Sequence, residues 1–423
     1  MNTNDLHITL PTSKSLSNRW LVLNHLLGGP FVLHNLSKAD DTVLLQSLLD
    51  QLQHKNGTVF YCGNAGTVAR FMLAILAITP GQWLITGDNR LKARPIAPLV
   101  DSLRNMGCKI EYTEKENHLP VSIIGSVPQR KMAEVDPSAS SQFVSALLLI
   151  GTVLPNGITV TLTNRASSRP YIEMTLSVLK QAGFDTYTSS NNRVYRVGNR
   201  IPTLQTRNRV INIEQDWSSA SYVYAAAALL PNIRFRMQGL SITNSIQGDK
   251  VVADIFKQLG VSTKEVRSPY RKEVRSVIIE GTGHFEKNLE YNFIDCPDLL
   301  PAVLVTCAAL GVKAKLKGVK NLRIKESDRL KALQTELGKM NGKMTFTSTE
   351  ARITPSELRP SETVCTYNDH RIAMSFGILS LKFPEIVIDA PEQVSKSFPD
   401  FWEQITQIRK ESARQHPNKE SAL

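Results

Sequence analysis

The sequence predicts an α/β fold made by repetition, and three observations predict it. Helix-period segments end at Gly or Pro-Asn and run straight into short β-branched stretches. Several of those helices are apolar on nearly every face, the pattern of helices covered all round. At 423 residues the chain also exceeds what one ordinary core covers, so two domains are expected.

In chain order, the first element is a helix opened by "PTSKSLSNRW", because Leu16, Trp20, Leu23 and Leu27 recur at helical spacing. Its first turn carries Lys14, Ser15, Ser17 and Arg19. A helix N-terminus is already the positive end of the dipole, so cations there are badly placed for stability and well placed for an anion. "IAPLVDSLRNMG" (96–107) is an amphipathic helix closed by Gly. "SSQFVSALLLIGTVLPNG" (140–157) is apolar all round and feeds the strand "ITVTLTN". "YIEMTLSVLKQAG" (171–183) is amphipathic again. The same alternation returns twice, "DWSSASYVYAAAALLPN" with "VVADIFKQLG" and "DLLPAVLVTCAALG" with "RLKALQTELGKMNG", and a last apolar helix, "HRIAMSFGILSLKFP", precedes the strand "EIVIDA". The apolar helices are expected inside and the amphipathic ones outside. The polar C-terminal stretch "RKESARQHPNKESAL" is expected to fray.

Composition narrows the function. The net charge, 50 − 38 = +12, favours an acidic partner, and the basic residues are scattered rather than gathered into a nucleic-acid arm. Five cysteines, odd in number and never in a CxxC pair, speak against a disulfide framework or a zinc site and for reduced thiols in the cytoplasm. No apolar run is long enough to span a bilayer and no basic-then-apolar leader opens the chain. Seven helix starts, "TSKSLSNR", "GNAGT", "SASSQ", "SSRPY", "CPDLL", "IKESDR" and "YNDHR", begin with small polar or charged groups, together more than capping needs. If repeated units turn those starts toward one place, that place is positive from dipoles and side chains together.

Those starts occur in a fixed order with others: "SKSLSNR", "GNAGT", "KARPI", "SASSQ", "SSRPY", "DWSSASY", "PDLLP", "NLRIKESDR", "YNDHR" and "SKSFPDF". In that order they resemble the 5-enolpyruvylshikimate-3-phosphate synthase family over nearly the whole chain. The resemblance implies two similar domains, 14–212 and 213–423, with strand 1–13 joining the second. Each would be built from βαβαββ units around buried parallel helices, an inverse α/β barrel-like arrangement. It implies transfer of the enolpyruvyl group of phosphoenolpyruvate to the 5-hydroxyl of shikimate 3-phosphate by a cytoplasmic monomer, with no metal or organic cofactor. The partners would be those two anions, with neither nucleic acid nor membrane.

The resemblance also implies a ligand set. Lys14, Ser15, Arg19, Ser140, Ser141, Ser168, Tyr171, Asp298, Asn321 and Lys325 would meet shikimate 3-phosphate. Lys14, Gly66, Arg94, Gln142, Arg329, Arg371 and Lys396 would hold phosphoenolpyruvate. Arginine forks suit carboxylate and phosphate, and Gly66 lets backbone N–H groups come close to an anion. Asp298 is expected to take the hydroxyl proton and Glu326 to serve the enol carbon, with Lys14 and His370 in support.

The sequence departs from the family pattern at Thr12, where Gly is usual, and at the bulky Val68 and Phe71. More consequential is "DQLQHKNGTVFYCG" (50–63), where a longer hairpin is expected, so the first unit is expected to be truncated and to expose a sheet edge. Two other functions stay open. One is UDP-N-acetylglucosamine enolpyruvyl transferase, whose typical loop Cys before Arg-Pro is missing from "GDNRLKARP"; the other is a weakly active or inactive anion-binding descendant.

Overall fold

A strand, an inner helix, a second strand parallel to the first, an outer helix, then an antiparallel hairpin: this device builds the computed structural model, which describes residues 5–200, 208–231, 233–267 and 275–415. Asn232 and the C-terminal tail from 416 onward lie outside the described residues. The chain divides into an N-proximal unit, Ser13–Ile213, and a C-proximal unit, Met1–Thr12 with Glu214–Leu423.

The inner helices are α1 (Lys14–Leu26), α2 (Gly66–Ile78) and α3 (Gln142–Ile150) in the N-proximal unit. In the C-proximal unit they are α4 (Trp217–Leu229), α5 (Leu300–Leu310) and α6 (His370–Leu379). Every residue of α4 and α6 is buried, which is why their sequences show no polar face. Within each unit the three inner helices pack on one another. The amphipathic segments Ala97–Asn105, Arg169–Gln181, Val252–Gln258 and Arg329–Lys339 form outer helices. The sequence "RKESARQ" does not fray: it completes an outer helix, Phe401–Gln415.

Among the described residues four sheets have four strands each, and all four share one strand order, although in the sheet of Leu6–Ile8 the whole N-proximal unit lies, along the chain, between the first strand and the second. In the sheet from Val59 to Gly125, the first strand pairs parallel to the second (Phe60↔Ile85), the second antiparallel to the fourth (Leu84↔Ser122), and the fourth to the third (Ile110↔Ile123). A parallel pair needs a crossover, and the inner helix is that crossover. The inner helix therefore starts at the C-terminal end of the first strand, where α/β folds collect ligands. Among the described residues no sheet closes into a barrel.

Two repeats are incomplete. Around α6 only an isolated parallel bridge, Val364↔Ile388, marks the strand pair. Around α1 the sheet has two strands, Phe31–His34 parallel to Arg209–Asn212, and the outer helix Asp40–Gln53 leads directly to the next repeat at Val59. This is the truncation expected from the short 50–63 stretch. The exposed edge is partly closed, however. Asn24 on α1 accepts from Phe31 N–H at 2.9 Å and donates to Phe31 C=O at 3.2 Å, offering the strand the two bonds a partner strand would make.

The N-terminal strand Leu6–Ile8 pairs parallel to Arg234–Gln238 and so belongs to the C-proximal sheet. Among the described residues no helix is long and apolar enough to cross a membrane.

Candidate active site

In the N-proximal unit the first turns of the inner helices carry the polar groups. Lys14 Nζ on α1 lies 3.0 Å from Asp41 Oδ2, which comes from the acidic first turn of the following helix. Ser15 is half-buried beside it. Arg19 is buried and donates to Thr175 Oγ1 (2.8 Å), Ser15 C=O (2.8 Å), Ser145 Oγ (3.3 Å) and Tyr171 C=O (3.0 Å). Burial pushes its guanidinium down to about 10, because every one of these acceptors is neutral. Arg19 thus ties α1 to the loop and helix that present Ser168 and Tyr171.

Gly66 opens α2 beneath two arginines. A Cβ on Gly66 would stand 2.5 Å from Arg70 Nη1 and 2.6 Å from Arg94 Nη2, so only glycine lets both guanidiniums lie over this helix start. Arg70 also donates to Gln142 Oε1 (2.8 Å) and to Pro95 C=O (3.1 Å). Gln142, the first residue of α3, donates to Thr67 Oγ1 at 2.7 Å, and its N–H donates to Ser140 Oγ at 3.2 Å. Gly66, Arg94, Gln142, Ser140 and Ser141 therefore form one contiguous group with Arg70. Ser168 stands at the N-cap position of its helix in the left-handed region, φ 56°, a conformation uncommon outside glycine, and its hydroxyl makes no capping bond. Val68 and Phe71 are buried, with Arg19 lying 5.8 Å from the Phe71 ring centroid. Sequence reasoning missed Arg70, although its position four residues after Gly66 on the same helix face was a usable signal.

The C-proximal unit gathers a second group around one arginine. Arg329, 1% exposed, reaches Asp369 through Nε (2.8 Å) and Nη2 (3.2 Å), Asp298 through Nη1 (3.1 Å), and Glu326 through Nη2 (2.6 Å). Arg371, at the start of α6, holds the other side of Asp298: Nη2 to Oδ2 at 2.8 Å and Nη1 to the main-chain oxygen at 3.1 Å. Lys325 Nζ is 3.7 Å from Asp298 Oδ1. Burial alone would raise the Asp298 carboxyl, but Arg371, Lys325 and Arg329 outweigh it and hold it well below the usual carboxylate range. Arg329 is itself held fully cationic, since Asp369, Glu326 and Asp298 overcome its burial.

Asp369 is fully buried, caps α6 by accepting from Arg371 N–H at 3.0 Å, and takes a further bond from Ser327 Oγ at 2.9 Å. His370 is buried, with Nδ1 3.7 Å from Asp369 Oδ1. Asn321 is half-buried on the 3₁₀ turn Lys320–Ile324, and Lys396 is half-buried at the end of the turn Pro391–Lys396, which packs on α6. A fourth carboxyl, Asp249, lies buried nearby and accepts from Ser218 Oγ on α4; burial first, then the charge of Asp298, pushes it up to about 6. Asp249 and Asp369 were not singled out in the sequence, because each reads as an ordinary helix-start acid until its neighbours are known.

The chain can be set beside known proteins. The model of the family described as EPSP synthase (3-phosphoshikimate 1-carboxyvinyltransferase) matches residues 4–405. A Bacteroides fragilis protein named 3-phosphoshikimate 1-carboxyvinyltransferase is 37% identical over 402 residues, spanning 94% of each chain. A protein of that name from Citrobacter koseri is 33% identical, covering 95% of this chain and 96% of its own. Among solved structures, an EPSP synthase from Acinetobacter baumannii superposes with a TM-score of 0.72 at 24% identity, over 95% of both chains, which supports the fold.

Proposed function

The chain belongs to the EPSP synthase family, and from that premise we propose how its residues carry the reaction. The enzyme transfers the enolpyruvyl group of phosphoenolpyruvate to the 5-hydroxyl of shikimate 3-phosphate and releases phosphate. Lys14, Ser15, Arg19, Ser140, Ser141, Ser168, Tyr171, Asn321 and Lys325 bind the acceptor, and its hydroxyls meet Asp298. Gly66, Arg94, Gln142 and Lys396 take the donor phosphate, to which we add Arg70. Arg329 and Arg371 take the donor carboxylate. The observation that carries this reading is the Arg329–Arg371 cluster, whose two forks sit against the two acids the chemistry needs, Asp298 and Glu326.

In the addition step the acceptor hydroxyl oxygen bonds to the donor C2, its proton passes to Asp298, and the methylene carbon takes a proton from Glu326. In the elimination step that carbon returns a proton to Glu326, the C2–O bond to phosphate breaks, and the proton lodged on Asp298 leaves with the phosphate. Lys14 and the donor-site arginines stabilise charge on the departing group, and His370 keeps the helix start in place beside Arg371. We read the enzyme as a cytoplasmic monomer.

Phosphate release from phosphoenolpyruvate, assayed with each acceptor in turn, tests the reading. Release is expected only with shikimate 3-phosphate present. Release with UDP-N-acetylglucosamine instead, or none from folded protein with either acceptor, would overturn it.

A further inference from the structure

In the C-proximal cluster the named cations already have partners. Arg329, Arg371 and Lys325 face Asp298, Glu326 and Asp369, with Asp249 a fourth carboxyl nearby. A carboxylate arriving with a ligand would add a further anion, and to take the bonded Nη groups of the arginines it must displace acids already on them. The geometry decides which. Asp369 has no exposure, caps α6, and is bonded from Arg329 twice and from Ser327. Moving it would strand a buried charge and uncap a helix, a cost the fold does not tolerate lightly. Asp298 and Glu326 differ: their side chains keep 21% and 12% of their exposure, and each can turn toward incoming water or ligand.

We infer that the donor carboxylate enters by ion-pair exchange, taking from Asp298 and Glu326 the Nη groups of Arg371 and Arg329, and so releases both proton-transfer groups only once the donor is seated. This rests on the reading of the chain as an enolpyruvyl transferase. Before the exchange Asp298 is clasped on both oxygens, Oδ1 by Arg329 and Oδ2 by Arg371, and is a poor base. After it, the same arginines face the donor, while the burial that raises a carboxyl's proton affinity persists. Glu326 likewise loses its 2.6 Å contact with Arg329 and is free to carry a proton to the enol carbon. Asp369 stays on Arg329 throughout and keeps the fork aimed. The two acids are thereby the arginines' resident occupants, and the donor's own carboxylate is the key that displaces them.

The exchange is tested by ligand binding without acceptor, on wild type, Asp298→Asn and Glu326→Gln. Calorimetric titration with phosphoenolpyruvate and, separately, with inorganic phosphate separates carboxylate from phosphate recognition. Each variant lacks one competitor, so phosphoenolpyruvate is expected to bind about tenfold tighter, the effect of one charge-assisted hydrogen bond. Inorganic phosphate, which has no carboxylate to exchange, is expected to bind as in wild type. Weaker or unchanged phosphoenolpyruvate binding in both variants would overturn the exchange. So would equal tightening toward both ligands, which is a general charge effect. Thermal melts establish that each variant folds, and either variant alone suffices, because Asp298 and Glu326 reach Arg329 through different nitrogens. The wild-type phosphate-release assay stands apart: its failure would sink the activity and leave the binding pattern to be judged by itself.

Discussion

Gly66 shows how much of this site hangs on a single hydrogen. Giving residue 66 a methyl group places it 2.5 Å from Arg70 Nη1 and 2.6 Å from Arg94 Nη2. Both atoms are far ends of flexible side chains, so Gly66→Ala is expected to fold and to melt near the wild-type temperature. The forks must move aside, and the Michaelis constant for phosphoenolpyruvate should rise about tenfold or more. An unchanged constant would remove the Arg70–Arg94 pair from donor binding. Asp249 makes a different prediction. Its folded carboxyl titrates near 6, above the ordinary value of 3.8. The folded protein therefore holds this proton more tightly than the unfolded chain, and its contribution grows less favourable as pH rises from about 4 to 6. Asp249→Asn removes that penalty while keeping an acceptor for Ser218. The variant should gain more thermal stability at pH 8 than at pH 5. Equal shifts at the two values would show that Asp249 is ionised in both. Glu326→Gln should cut turnover by about 10²–10⁴-fold, the range for a general acid–base group, with shikimate 3-phosphate affinity nearly unchanged. A loss of both would mark Glu326 as a support for Arg329.

At the level of elements, the alternation of all-apolar and amphipathic helices was plain in the sequence. Burial on every face leaves no polar positions, and burial on one face leaves many, so α4 and Val252–Gln258 differ in pattern before they differ in place. The order of strands within a sheet was not legible, since nothing local tells a fourth strand to insert between the second and third. The site divides in the same way. Helix starts with surplus charge could be read directly, whereas the clasp on Arg329 joins residues 31 and 40 positions apart and exists only once the helices are packed. The closed edge of the truncated repeat was invisible for the same reason: Asn24 reads as one more polar helix residue. Asn24→Leu should leave the Phe31 N–H and C=O without their amide partner and cost about 1–3 kcal/mol in denaturant unfolding. It should also expose a strand edge, so sedimentation of the variant at rising concentration should reveal association. A variant as stable as wild type would mean that water replaces the amide without loss.

For the molecule as a whole, the strand Leu6–Ile8 sets an order of events. It lies at the start of the chain, yet its partners, Phe235 to Met237, follow more than two hundred residues later. The residues of the N-proximal unit run without a break from Ser13 to Ile213. During synthesis that unit can complete its contacts while the opening strand, already made, has nothing to pair with. Closing so long a loop costs only slightly more entropy than closing a shorter one, so the delay is one of time more than of free energy. Deleting residues 1–10 should therefore spare the N-proximal unit and lower only the transition of the C-proximal one, splitting a thermal unfolding trace into two steps. The ribosome makes this strand long before its partners, and the sheet must wait for them.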